Sequence, residues 1–242
     1  QVQRLKVTPS GKNGPLDALA LDTFSASGSG SVSLQIEDLS FGYGRDARVF
    51  DGLSLDLNPG LYLLEGANGA GKSTLAKLLS GVLRPSRGRV LADGQEVFCW
   101  RSPGRLVGYH FQNPDLQLFS PTVREELHNS LDSQSEETLL QIAFAFGLHR
   151  ALGIHPLDLP FVGRKRIALA ATFAMDAPWL ILDEPTLGQD TEAMESIAKG
   201  VTALASAGRG VIVISHSTRF LERLGGARLL LEAGHVTCRN DR

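Results

Sequence analysis

The densest chemistry in the chain is Gly66-Ala67-Asn68-Gly69-Ala70-Gly71-Lys72-Ser73, followed by Thr74. Every fixed position of the phosphate-loop pattern, a glycine, four residues of any type, then Gly-Lys-Ser/Thr, is filled. Glycines let successive backbone N–H groups turn toward one anion. A helix starting there adds the partial positive charge of its N-terminus. Lys72 can reach outer phosphates, and the Ser73 hydroxyl can ligate Mg²⁺. A second constellation is Trp179-Leu180-Ile181-Leu182-Asp183-Glu184, an apolar run ending in two carboxylates. At the tip of a parallel strand such residues face the ligand crevice. Asp183 suits Mg²⁺, and Glu184 is placed to orient or deprotonate a water. The same pair could also simply cap the next helix. His216 ends a third apolar run, Gly210 to Ser215, and Gln112 ends a fourth strand candidate. Tyr43, beside a turn, could stack on a base, although aromatic rings near turns also serve packing alone.

These residues need elements to hold them. Leu61–Leu64 reads as a buried strand entering the glycine loop, and Thr74–Ser80 as the helix leaving it. Val32–Ile36 begins a strand ahead of this unit. Arg48–Phe50 and Leu53–Leu57 alternate as two further strands, turned by Asn58-Pro59-Gly60. Val90–Ala92, Gln95–Cys99 and Leu106–Phe111 are the next strand candidates. Residues 122–153 are helical in pattern, opened by Thr122 with acidic residues in the first turn. A helix follows from Gly163 and another spans Asp190–Ala205. Leu229–Glu232 and His235–Cys238 close the chain as strands.

The 242 residues, 43% of them hydrophobic, suffice for a large α/β core with a subdomain. A net charge of −2 gives no global field for nucleic acid. Cys99 and Cys238 make no metal-ligand spacing and read as two reduced thiols. No apolar run approaches the ~20 residues of a membrane-spanning helix, and no signal-peptide core stands near the start. We therefore expect a soluble chain whose membrane link runs through a partner. Residues 1–31, with Pro9–Pro15 turn-rich and Ser25–Ser31 of linker composition, read as an extension or linker. Gln1 implies a start that is processed, trimmed or preceded by more chain.

Across residues 32–238 the chain resembles the ATP-binding subunits of ABC transporters. Within that family it is most similar to the ATPases of energy-coupling-factor importers of vitamins or metal ions. Phe111–Glu126, FQNPDLQLFSPTVREE, resembles their Q-loop and the helix after it. Gly66–Thr74 matches Walker A, Leu180–Glu184 Walker B, Leu187–Asp190 the D-loop, His216 the switch histidine and Tyr43 the adenine-stacking aromatic. The resemblance implies an α/β P-loop NTPase over residues 32–242. Its parallel core sheet would carry an antiparallel β-subdomain and an inserted α-helical subdomain at about 113–165. It implies ATP held by Tyr43, Gly66, Ala67, Asn68, Gly69, Ala70, Gly71, Lys72, Ser73 and Thr74. Mg²⁺ would sit on Ser73, Gln112 and Asp183. Glu184, His216, Lys72 and Gln112 would carry hydrolysis.

One element departs. Where the family has Leu-Ser-Gly-Gly-Gln before the Walker B strand, this chain has Leu159-Pro160-Phe161-Val162-Gly163. In the family that serine and those glycine amides touch the γ-phosphate bound to the opposite subunit. Pro160 has neither hydroxyl nor N–H, and Phe161 and Val162 add bulk where backbone must come close. The resemblance thus implies a heterodimer, in which a second ABC ATPase supplies an intact signature. It further implies a transmembrane coupling subunit, a substrate-binding membrane subunit, and a peripheral place on the cytoplasmic face of a bacterial or archaeal membrane. No nucleic acid is expected. The alternatives are a non-transport ABC ATPase acting on nucleic acid or ribosomes, and a P-loop kinase. Long coiled-coil insertions, zinc modules or basic patches would favour the former; the wide Lys72–Asp183 spacing, Glu184 and His216 argue against the latter.

Overall fold

The computed structural model describes residues 32–44, 47–99, 104–131 and 135–239. The expected extension over residues 1–31 lies outside them. In chain order the elements begin β1 (Leu34–Gly42), β2 (Arg48–Leu57), β3 (Leu61–Glu65), α1 (Lys72–Leu79), β4 (Arg87–Ala92), β5 (Gln95–Glu96) and β6 (Val107–His110). A helical stretch follows, with α2 (Val123–Ser130), α3 (Glu136–Ala145) and α4 (Phe161–Ala174). The chain then alternates through β7 (Trp179–Asp183), α5 (Thr191–Ser206), β8 (Gly210–Ile214), α6 (Thr218–Leu224), β9 (Ala227–Glu232) and β10 (His235–Arg239).

Two sheets result. A four-stranded antiparallel sheet runs β2-β1-β4-β5, and a six-stranded sheet runs β10-β9-β3-β8-β7-β6. In the larger sheet β9, β3, β8, β7 and β6 pair in parallel, and only β10 is antiparallel. Successive side chains on a strand point to opposite faces, so each strand feeds two cores. Leu63, Leu180, Leu182, Val211 and Val213 pack with α2 to α6. Leu64, Ile181, Ile212 and Ile214 pack with α1 and the antiparallel sheet. Burial on both faces is why these strands read as continuous apolar runs rather than alternating ones.

The structure differs from the sequence reading in three places. Arg48–Phe50 and Leu53–Leu57 belong to one strand, β2, not two. Gly52, at φ 74°, carries the irregularity between the Phe41↔Phe50 and Leu39↔Leu53 pairs, and its amide donates to the Ser40 hydroxyl at 3.0 Å. A bulge of this kind bends the ladder without ending it. The Gln95–Cys99 strand shrinks to two residues, Gln95 and Glu96. Helix α6, which no sequence signal singled out, buries Phe220, Leu221 and Leu224 and has Ser217 as its N-cap. At seven residues it is shorter than the stretch of about 11–18 residues over which helical periodicity is read.

The outer part of the large sheet depends on one close fit. Trp179 is fully buried, stacks on Tyr62 with centroids 6.1 Å apart, and donates its indole N–H to the Val32 carbonyl at 2.7 Å. It pairs across β7–β8 with Gly210, where a Cβ would lie 2.2 Å from the indole. The replacement Gly210→Ala is therefore expected to cost at least about 2 kcal/mol, as overpacking of a filled core does. For a domain of this size the thermal midpoint should fall by about 4–8 °C. An unchanged midpoint in a melting experiment would contradict this placement of the tryptophan.

Candidate functional site

Parallel strands β3, β8, β7 and β6 are neighbours, so their carboxyl ends meet along one edge of the sheet. Onto that edge they deliver the glycine loop, Ser215 with His216, Asp183 with Glu184, and Phe111 with Gln112, in that spatial order. Segments far apart in sequence thereby share one crevice, the arrangement expected of an open parallel sheet.

The glycine loop turns on positive φ angles at Gly66 (154°), Gly69 (78°) and Gly71 (102°). At Gly66 a Cβ would sit 2.5 Å from the Leu231 carbonyl oxygen, and at Gly71 2.8 Å from Val49. Gly69 faces open space. Helix α1 starts at Lys72 with no side-chain cap, leaving its first-turn amides without a capping acceptor. Lys72 is folded onto the loop, its Nζ donating to the carbonyls of Gly66 at 2.7 Å and Ala67 at 3.0 Å. Ala67, Asn68 and Gly69 are exposed, and Ala70 and Ser73 are half-buried at the same mouth. Thr74, buried, hydrogen-bonds the Tyr43 hydroxyl at 3.1 Å. That bond, with Phe41 edge-on at 5.1 Å, brings Tyr43 beside α1 while leaving the residue 64% exposed.

At the end of β7, Asp183 is buried and accepts from the Tyr109 hydroxyl at 2.9 Å. Glu184 has φ 51°, a left-handed backbone that costs a non-glycine residue of order 1–3 kcal/mol. Its amide donates to the Ile214 carbonyl at 2.9 Å. Its Oε2 accepts from the Ser215 hydroxyl at 3.3 Å. Its Oε1 is buried, has no hydrogen-bond partner among the described residues and lies 3.7 Å from His216 Nε2. Burial raises the Glu184 carboxyl above the ordinary carboxylate range; the opposing pull of His216 does not cancel it, and the charge of Asp183 adds to it. His216 itself is 60% exposed. Gln112 is exposed in the bend after β6.

Several residues here were given no individual role in the sequence reading. Tyr109 holds Asp183 from the neighbouring strand. Gln117 ties the loop after β6 to α4: its Oε1 accepts from Phe111 N at 2.8 Å and its Nε2 donates to the Ala168 carbonyl at 3.0 Å. Lys165, 1% exposed on α4, donates to the Glu184 carbonyl at 2.8 Å. Only the β6–β7 pairing could have marked Tyr109 in advance, since a hydroxyl one strand away from a carboxylate is within reach across a sheet. Pro160 is the N-cap of α4 and offers no side-chain acceptor. Phe161 behind it is 40% exposed. Gln189 and Asp190 meet Arg166 of α4 at 3.3 and 3.9 Å.

His110, at the end of β6, is fully buried, and among the described residues neither ring nitrogen has a hydrogen-bond partner. Burial, reinforced by the nearby Lys165 charge, lowers its pKa to about 3, with the Ala168 carbonyl opposing. The ordinary value is about 6.5. Between those limits the unfolded chain binds a proton that the folded chain refuses. This contribution is thus intact above about pH 6.5 and is lost as pH falls toward 3. In nucleotide-free protein, His110→Leu should raise the thermal midpoint, since two orphaned polar atoms disappear, and should flatten its decline below pH 6.5. An identical acid limb in both proteins would refute this account.

The family model described as ABC transporter matches residues 50–187. The chain is 31% identical over 212 residues to a Pyrococcus horikoshii protein provisionally described as an ABC transporter ATP-binding protein, covering 84% of this chain and 81% of that one. It is 31% identical over 218 residues to the energy-coupling factor transporter ATP-binding protein EcfA of Methanothermobacter thermautotrophicus, covering 84% and 69%. It spans about half (49%) of the length of a Clostridium tetani relative, to which it is 32% identical. Among solved structures it superposes on cbiO1 of Clostridium perfringens, part of the ABC transporter complex cbiONQ, with TM-score 0.68 and 26% identity over 87% of this chain and 89% of that one. A match of this extent, on a sheet whose edge carries the phosphate loop and the carboxylate pair, places the chain in the ABC transporter family, among its ATP-binding proteins.

Proposed function

We propose that this chain binds Mg-ATP and hydrolyses it to power a membrane importer of the energy-coupling-factor kind, as one half of a heterodimer. The observation that carries the reading is an asymmetry within the chain. The crevice holds a complete set of phosphate-loop, carboxylate and histidine groups, while Pro160, Phe161 and Val162 stand where a partner's phosphate would need a hydroxyl and approachable amides. Preserving the first half of a shared site makes sense only if another chain supplies the second half.

The residues fit the ligands. The uncapped first turn of α1 and the open face at Gly69 offer amides to an anion. The unpartnered Oε1 of Glu184 is free to accept from a water. In this reading Lys72 exchanges the Gly66 and Ala67 carbonyls for outer phosphate oxygens. Tyr43 stacks on the base. Ser73, Gln112 and Asp183 are the residues that would hold Mg²⁺, which would supply neutralisation of the phosphate charge. Glu184, its carboxyl raised by burial, orients the attacking water and takes its proton. His216 contacts the γ-phosphate. Tyr109 fixes the carboxylate of Asp183 in one orientation. The likeness to EcfA and to the cbiONQ component supports the importer class. Exposed Leu116 and Phe119, on the loop that Gln117 anchors to α4, offer the apolar contact for a transmembrane coupling subunit. Among the described residues no helix is long and apolar enough to cross a membrane, so in this reading membrane subunits provide the pathway. In this reading residues 32–242 form the ATPase domain, with its helical subdomain at about residues 113–165.

The test is turnover by the complex captured through this chain. Glu184→Gln here should lower ATP hydrolysis about 10²-fold or more, the scale of a lost general base. The equivalent carboxylate in the partner, which faces Pro160–Gly163, should be nearly dispensable. Little loss with Glu184→Gln would sink the reading.

A further inference from the structure

Lys165 is a buried cation whose one direct hydrogen bond shown is to a peptide carbonyl, that of Glu184. Burying an ammonium is costly unless something specific is gained. Burial pulls its pKa down to about 8, against the pull of Asp183 and Glu184, so the group remains mainly charged at neutral pH. The carbonyl it holds belongs to the residue with the strained left-handed backbone. That same oxygen accepts the Leu187 amide at 3.3 Å, the first bond of the turn leading to Gln189 and Asp190. Glu184 is thus pinned from two sides: β8 holds its amide through Ile214, Ser215 just after β8 holds its carboxylate, and α4 holds its carbonyl through Lys165. Lys165 lies in the second turn of α4, two residues after the Pro160–Gly163 segment that begins it.

We infer that Lys165 is a positioning residue that fixes the Glu184 peptide, and so links the partner-facing first turn of α4 to the aim of the carboxylate. It touches neither substrate nor reacting atoms; it acts through the backbone of Glu184. A residue tilted at its own peptide delivers its carboxylate to a different point, and a misplacement of about 1 Å can cost about 10²-fold in rate. The helix bearing the degenerate signature thereby retains a mechanical role at this chain's own carboxylate even where it has lost the groups for a partner's phosphate. The role in turnover rests on the function proposed above; the effect on the Glu184 peptide does not.

The experiment has two arms. In the isolated chain, hydrogen exchange is measured over residues 183–190 for Lys165→Met and Lys165→Gln. The methionine has similar length without a donor; the glutamine keeps an N–H. Faster exchange at Leu187 and Gln189 in Lys165→Met, with residues 210–215 unchanged and the effect reduced in Lys165→Gln, is expected. In the captured complex, Lys165→Met should lower kcat for ATP about 10- to 100-fold with KM unchanged, and Lys165→Gln should recover most of it. Lys165→Met should keep one cooperative thermal transition, at a midpoint lowered by removing a buried charge from beside Asp183 and Glu184, which shows that the variant read in both arms is folded. Unchanged exchange over 183–190, a general loss of protection including 210–215, or a rise in KM at constant kcat would overturn the inference. If the unsubstituted complex does not hydrolyse ATP, the functional reading fails while the exchange arm still decides the positioning.

Discussion

Everything in the crevice depends on the parallel pairing of β3, β8, β7 and β6. Parallel neighbours end on the same side, so whatever follows each strand must share that edge. A one-residue slip of β7 against β8 would turn Asp183 to the opposite face, away from Tyr109. The register is held by bulk on both faces. Trp179 fills the space over Gly210, and Leu180, Ile181 and Leu182 are fully buried. The apolar interior thus sets the geometry of the polar edge, and the polar edge contributes strain and orphaned polar atoms in return.

What the sequence made legible follows from this. The phosphate loop is contiguous, so its residues declare one another. β7 and β8 are continuous apolar runs that end in Asp183-Glu184 and Ser215-His216, so both strand and site appear together. The phosphate loop sits between β3 and α1 as expected. The roles of Tyr109, Gln117 and Lys165 were not legible, although each lies in a segment the sequence singled out, because each acts on a partner remote in sequence. Lys165 lies within a basic triplet, Arg164-Lys165-Arg166, whose members diverge on folding: Arg164 pairs with Asp115, Arg166 approaches Asp190, and Lys165 turns inward. Helical geometry separates such neighbours by about 100° each, so the run of charge conceals one buried member. The break expected inside β2 failed for the converse reason. Asp51-Gly52 has turn chemistry, but paired strands absorb it as a bulge.

Charge is distributed unevenly across the crevice. Asp183 has a phenol donor on it, whereas one oxygen of Glu184 has no hydrogen-bond donor among the described residues, only His216 Nε2 at 3.7 Å. Two adjacent carboxylates therefore differ in environment, the condition under which one fold assigns them separate roles. Asp183, satisfied from its own sheet, is suited to a fixed charge. Glu184, held by its backbone and left open at one oxygen, is suited to exchange a proton with whatever enters.

The Gln117 side chain has a mechanical consequence. It bonds the end of β6 through Phe111 and the middle of α4 through Ala168, so the loop cannot drift from either without breaking one of them. Phe119, 81% exposed, projects from that same loop, and its amide is held by the Glu126 carboxylate of α2. A lever with its fulcrum inside the protein and its handle outside is the result: force applied to the ring at the surface is shared between α2 and α4 rather than dissipated in a slack connection.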